Sequence, residues 1–164
     1  MQGVKTGGYE IVHADSAEYV EAIRALFREY ADGLGFSLCF QGFDEELAGL
    51  PGNYSRPRGR ILLARLNESD VGCIAMQPLS PDVCEMKRLF VKPAFRGKGM
   101  GRLLADAIIR EAADADYRAM RLDTIEPLMP RAITLYRTFG FREIPAYRQN
   151  PIAGALHMEL LLKR

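Results

Sequence analysis

The chain has too few cysteines, too few histidines and too little surplus charge for several large classes of protein. Its three cysteines, Cys39, Cys73 and Cys84, are odd in number and show no CxxC spacing. That argues against a disulfide framework or a cysteine-based zinc site. Free thiols suit a reducing compartment, so a cytoplasmic protein is expected. The two histidines, His13 and His157, lie far apart and read as structural or surface residues rather than bases. Lys and Arg number 22 against 21 Asp and Glu, a net charge of +1. A nucleic-acid binder would show a basic excess. No apolar run approaches the roughly 20 residues that a membrane span needs. Met1 to Tyr9 is polar and glycine-rich, so no secretory leader is expected.

What is present suits one folded domain. The 164 residues are 48% hydrophobic and 26% charged, enough for a real core. Residues 1–8 read as a flexible lead-in and 9–164 as a single domain. Tyr9 to Ala14 is strand-like. Asp15-Ser16-x-Glu18 signals a helix start, and Val20, Ile23, Leu26, Phe27 and Tyr30 follow at helical spacing before Gly33 and Gly35. A short helix is expected from Asp44, as its cap, to Leu50, stopped by Pro51. Strands are expected over 60–66, 71–77, 83–91, 120–125, 143–147 and 155–162. Helices are expected over 100–113 and 131–139, the second ended by Gly140. This order predicts an α/β fold with a mixed sheet of about seven strands and about four helices. The unit from Val83 to Ile125 should be a right-handed parallel crossover.

The richest stretch runs V-C-E-M-K-R-L-F-V-K-P-A-F-R-G-K-G-M-G-R from Val83 to Arg102. A strand, Pro93 and a glycine-rich basic turn lead into a helix. Backbone N–H groups at a helix N-terminus carry about half a positive charge. Glycines let the backbone approach a ligand, and Arg96, Lys98 and Arg102 add side-chain charge. A phosphate or pyrophosphate is the natural guest. A P-loop is excluded, because no Ser or Thr follows Lys98 to hold magnesium.

These residues resemble the GNAT family, the Gcn5-related N-acetyltransferases. Arg96-Gly97-Lys98-Gly99-Met100-Gly101 matches the family's R/Q-x-x-G-x-G/A turn, with Val91-x-Pro93 before it. Leu135-Tyr136-Arg137-Thr138-Phe139-Gly140-Phe141 matches a second signature, L-Y-x-x-x-G-F. The resemblance covers roughly residues 9 to 164. It implies a mostly antiparallel sheet with a splayed central parallel pair, and acetyl-CoA as cofactor. Leu89, Phe90 and Val91 would bond the acetyl carbonyl and pantetheine through their backbone. Arg96, Gly97, Lys98, Gly99, Met100, Gly101 and Arg102 would bind the pyrophosphate. Many members carry Asn where this chain has Met129, and Thr124 is the expected substitute.

An amine must lose a proton to attack a thioester, and with an ordinary pKa of about 10.4 only about one in a few thousand is neutral at pH 7. A positioned base is worth roughly 10²–10⁴-fold. The resemblance puts Glu85 at the general-base position, acting directly or through water, and Tyr136 at the general-acid position. Glu85 would share the face of Leu89 in a regular strand, and Cys84 the opposite face. Glu85 could instead form an ion pair with Lys87 or Arg88 and do no chemistry. Tyr136 could be plain helix packing. Phe36, Phe40 and Gln41 lie in a region that lines the acceptor pocket in the family, although core packing explains such apolar residues equally well. Arg56, Arg58 and Arg60 read as a solvated loop or as ligands for an acidic acceptor. The implied activity is direct acetyl transfer, without an acyl-enzyme, to a primary amine of a small or amino-acid-like molecule. A peptide or protein amine and a non-catalytic acyl-CoA sensor are the alternatives. By analogy with the family, a homodimer is expected.

Overall fold

The computed structural model describes residues 4–39 and 42–162. The chain runs β1 (Val4–Thr6), β2 (Tyr9–His13), α1 (Ala17–Asp32), α2 (Phe43–Ala48), β3 (Arg60–Leu66), β4 (Ser69–Pro78) and β5 (Val83–Val91). It continues α3 (Met100–Asp114), β6 (Ala119–Ile125), α4 (Pro130–Phe139), β7 (Arg142–Ile144) and β8 (Ala155–Leu161). Among the described residues one eight-stranded sheet has the order β1-β2-β3-β4-β5-β6-β8-β7. Among these strands only β5 and β6 are parallel neighbours, joined through α3 as the sequence implied. The additional strand is β1, which pairs with β2 where a flexible lead-in was expected. The expected strand over 143–147 is shorter, because the chain leaves β8 after Ile144. Among the described residues no helix is long and apolar enough to cross a membrane.

Local chemistry sets the helix ends. Ser16 Oγ accepts from the Tyr19 N–H at 3.2 Å and caps α1. Asp44 does not cap α2; Gly42 does so from a left-handed φ of 67°, and Asp44 lies in the first turn. Gly140 ends α4 at φ 100°, and Phe141 folds back to pack its ring 5.7 Å from that of Tyr136.

The sheet carries a core on each face. Leu104 and Ile108 of α3 and Ile133 and Tyr136 of α4 pack on Ile74, Met76, Cys84, Met86, Met120, Leu122 and Met158. Ile23, Leu26 and Phe27 of α1 pack on Leu63, Cys73, Ala75 and Phe90. Each such aliphatic or aromatic side chain contributes about 1.5–3 kcal/mol by leaving water.

Two irregularities shape the middle of the sheet. β5 and β6 pair only from Val83–Ala119 to Glu85–Arg121 and then separate. β5 also bulges: Cys73 faces Phe90 and Ala75 faces Lys87, so Ile74 stands opposite both Arg88 and Leu89. Arg88 takes a left-handed φ of 62° to do this. It is tied there by Glu46 of α2, whose two carboxylate oxygens accept from Nε and Nη2 at 2.9 and 3.0 Å. The bulge shifts the alternation. Cys84 and Met86 belong to the α3/α4 core, and beyond the bulge Leu89 and Val91 pack against that same core. Glu85 therefore faces away from Leu89, contrary to the regular-strand expectation. Gly72, opposite Val91, permits the close approach here, since a Cβ would lie 2.7 Å from the Phe90 carbonyl oxygen.

Candidate active site at the splayed strands

The separation of β5 and β6 opens a cleft of about 530 Å³. Its walls include Met86 to Val91 of β5, the turn before α3, Asp123 and Thr124 of β6, and Met129 and Tyr136. Beyond Glu85, β5 has no partner strand on its β6 side among the described residues, which leaves backbone groups along the cleft for a ligand. Arg96 Nε takes the Val91 carbonyl at 2.7 Å.

The glycine turn closes one end. Gly97 and Gly99 take φ of 78° and 82°, with nothing within 4 Å of a Cβ at either. Their requirement is therefore conformational. α3 has no side-chain cap, and its first backbone bond runs from Leu103 to Gly99 at 3.1 Å. Among the described residues the N–H groups of Gly97 through Arg102 have no protein acceptor. Unaccepted N–H groups at a helix start are what a diphosphate requires. Arg96, Gly97, Gly99, Met100 and Gly101 line the cleft. Lys98 and Arg102 do not; Lys98 lies over the Phe95 ring and Arg102 donates to Thr138 Oγ1 at 3.0 Å.

Tyr136 reaches the cleft from the α3/α4 side. Only 7% of the residue is exposed, and burial holds its phenol well above the ordinary pKa, so the proton stays on. Its hydroxyl has no hydrogen-bond partner among the described residues, and Tyr136 lines the cleft. Thr124 and Met129 satisfy each other, with Thr124 Oγ1 donating to Met129 Sδ at 3.3 Å.

Across the sheet lies a polar cluster. Glu85 is fully buried and lies behind the cleft wall. Its Oε2 accepts from Tyr147 Oη at 2.7 Å and forms an ion pair with Arg148 Nη2 at 2.7 Å, and its Oε1 accepts from Gln77 Nε2 at 3.0 Å. Lys87 Nζ stands 3.9 Å from Oε1. The ion pair with Lys87 that the sequence allowed is thus present, and Arg148 adds a shorter one. Burial, then the Glu85 charge, push the Tyr147 phenol far above its usual range, so it remains a donor. Asp123, on the cleft wall, accepts from Asn150 at 3.0 Å through Oδ2. Lys87, Asp123, Tyr147 and Arg148 were not among the expected site residues. The last two lie in the segment between β7 and β8, whose folding over Glu85 no local pattern announces.

Other expectations resolve differently. Phe36 packs against the α1 core, while Tyr30 and Leu34 line the cleft instead. Phe40 and Gln41 lie outside the described residues. Arg56, Arg58 and Arg60 do not line the cleft. Arg60 is buried and donates to Glu111 at 2.9 Å, Arg58 stacks 4.0 Å over Tyr117, and Arg56 pairs with Asp15 at 3.4 Å. Cys84 is buried in the α3/α4 core, and burial pushes its thiol up to about 12, which makes it a poor nucleophile.

The comparisons agree with this geometry. The family model described as Acetyltransferase (GNAT) family matches residues 20–141. An uncharacterised N-acetyltransferase of Schizosaccharomyces pombe is 38% identical over 147 residues, covering 88% of this chain and 90% of that protein. A Streptococcus agalactiae acetyltransferase structure superposes with a TM-score of 0.78 at 22% identity, covering 96% of this chain and 100% of that one. A Salmonella typhimurium chain, described as an acetyltransferase and solved with its cofactor acetyl-CoA, superposes with a TM-score of 0.70 at 20% identity. It covers 96% of this chain and 95% of its own. The turn, the splay and the sequence match therefore agree: this chain belongs to the GNAT family of acetyl-CoA-dependent acetyltransferases.

Proposed function

We propose that the protein acetylates the primary amine of a small, amino-acid-like molecule by direct transfer, with Tyr136 as general acid. The observation that carries this reading is Tyr136, its hydroxyl protonated and without a partner among the described residues, lining the same cleft as the α3 turn and the open edge of β5. Bound acetyl-CoA supplies an activated acetyl thioester. The chain's own groups do the rest. The α3 N–H groups, with Arg96 near them, hold the diphosphate, and the backbone of Leu89, Phe90 and Val91 on the β6 side, where Arg96 already takes the Val91 carbonyl, orients the acyl arm. Lys98 and Arg102 add charge from outside the cleft wall. Thr124, occupied with Met129, contributes packing unless it turns. As the new N–C bond forms and the C–S bond breaks, Tyr136 gives its proton to the departing sulfur.

The amine proton leaves on the opposite side of the sheet. In this reading Glu85 takes it through water, because a fully buried carboxylate behind the cleft wall cannot touch the amine. A specific observation favours a second base. Asp123 is on the wall, with Oδ1 unengaged among the described residues. Turnover of acetyl-CoA against a panel of amines, comparing Glu85→Gln with Asp123→Asn, separates them by which variant loses the acid limb of the pH–rate profile. CoA binding with no turnover of any amine would instead indicate a sensor, and turnover of peptides alone a protein acetyltransferase. The buried free thiols Cys73 and Cys84 support a cytoplasmic setting. The family resemblance supports a homodimer, which light scattering checks.

A further inference from the structure

The charges around Glu85 do not balance within the protein. Two neighbouring cations on this side of the sheet are matched: Arg88 by Glu46 and Arg121 by Glu159 at 2.7 Å. Glu85 is a single carboxylate facing two more, Arg148 at 2.7 Å and Lys87 at 3.9 Å. Lys87 is the less satisfied. Its side chain is 5% exposed, it lines the cleft, and among the described residues it makes no hydrogen bond. Arg148 also keeps its Nε buried and without an acceptor. Burial and the adjacent Arg88 lower the Lys87 pKa, the situation in which a bound anion adds most to an ammonium. Across the gap the imbalance has the opposite sign. Asp123 has Asn150 as its partner and no cation within ion-pair distance among the described residues.

A cleft short of one anion beside Lys87 and of one cation beside Asp123 is complementary to a zwitterion. Resting on the reading that an amine enters this cleft, we propose that the acceptor carries a carboxylate next to its amine, with Lys87 binding the carboxylate and Asp123 facing the nitrogen. The substrate class is the free amino acid or a close relative. Polyamines and simple alkylamines, which bring only positive charge, would meet Lys87 unfavourably.

The test is CoA release with matched triplets: an amino acid, its carboxamide, and the amine lacking the carboxyl group. The wild type should favour at least one acid over its carboxamide by about tenfold or more in kcat/KM, since a buried polar group left unpaired penalises the wrong ligand. Lys87→Met should raise KM for the acid and collapse the acid-to-amide ratio, and Lys87→Arg should retain part of it. The wild-type ratio needs no variant, so a Lys87→Met protein that fails to fold does not block the test. Acetylation of carboxamides or plain amines as fast as of acids overturns the proposal, as does acetylation of no acid at all. The broader reading falls separately, when CoA binds and no amine of any class is acetylated.

Discussion

Tyr147 Oη donates to Glu85 Oε2 at 2.7 Å across 62 residues of chain. The contact fastens the segment between β7 and β8 onto Glu85, the last β5 position that pairs with β6 before the strands part. Tyr147→Phe removes a bond to a fully buried carboxylate. Such bonds contribute about 1.5–3 kcal/mol, and urea denaturation should show a loss of that size. An unchanged midpoint would mean that water replaces the hydroxyl without cost.

Tyr136→Phe deletes the proposed proton donor and leaves the ring against Phe141. We expect kcat to fall about 10²-fold or more, while CoA affinity by calorimetry stays within about threefold. Because burial raises the phenol's pKa, the wild-type enzyme should not lose activity through Tyr136 ionisation at mildly alkaline pH. Parallel losses of kcat and CoA binding would reduce Tyr136 to a packing residue.

Gly99 precedes α3 with φ at 82°. An L-residue there costs about 1–2 kcal/mol, so Gly99→Ala should weaken CoA about tenfold. Lys98, off the cleft wall, should matter less as Lys98→Met. The reverse ranking would shift the diphosphate contact from main chain to side chain.

These glycines were legible because a strand, a left-handed glycine and a helix start form one local unit. Tyr136 and Gly140 were legible for the same reason, since the cap that ends α4 lies within the motif. The β5 bulge was not. Arg88 adopts its left-handed φ while held by Glu46, 42 residues away, and no spacing within β5 encodes that pairing. The same bulge turned Glu85 away from Leu89. Lys87 and Asp123 were equally hidden, because each is ordinary in its own strand and becomes unusual only where the two strands part.

His13 gives a stability signature independent of the active site. Burial, the largest influence, holds its pKa below the ordinary 6.5, against the opposing pull of Glu111 at 2.9 Å. As pH falls, the unfolded chain therefore takes up this proton before the folded one. The His13 contribution is fully present above about 6.5 and declines from there toward the lower folded value. His13→Gln should flatten that part of the curve relative to wild type in urea midpoints measured from about pH 5 to 8. Identical slopes would show that His13 does not titrate with folding.

The most direct test of the catalytic site is a crystal structure grown with CoA. We expect the diphosphate on the N–H groups of Gly97 through Arg102, the pantetheine arm along Leu89 to Val91, and the sulfur within hydrogen-bonding reach of Tyr136 Oη. A diphosphate bound away from the start of α3, or a sulfur on the far side of β5 from Tyr136, would contradict it.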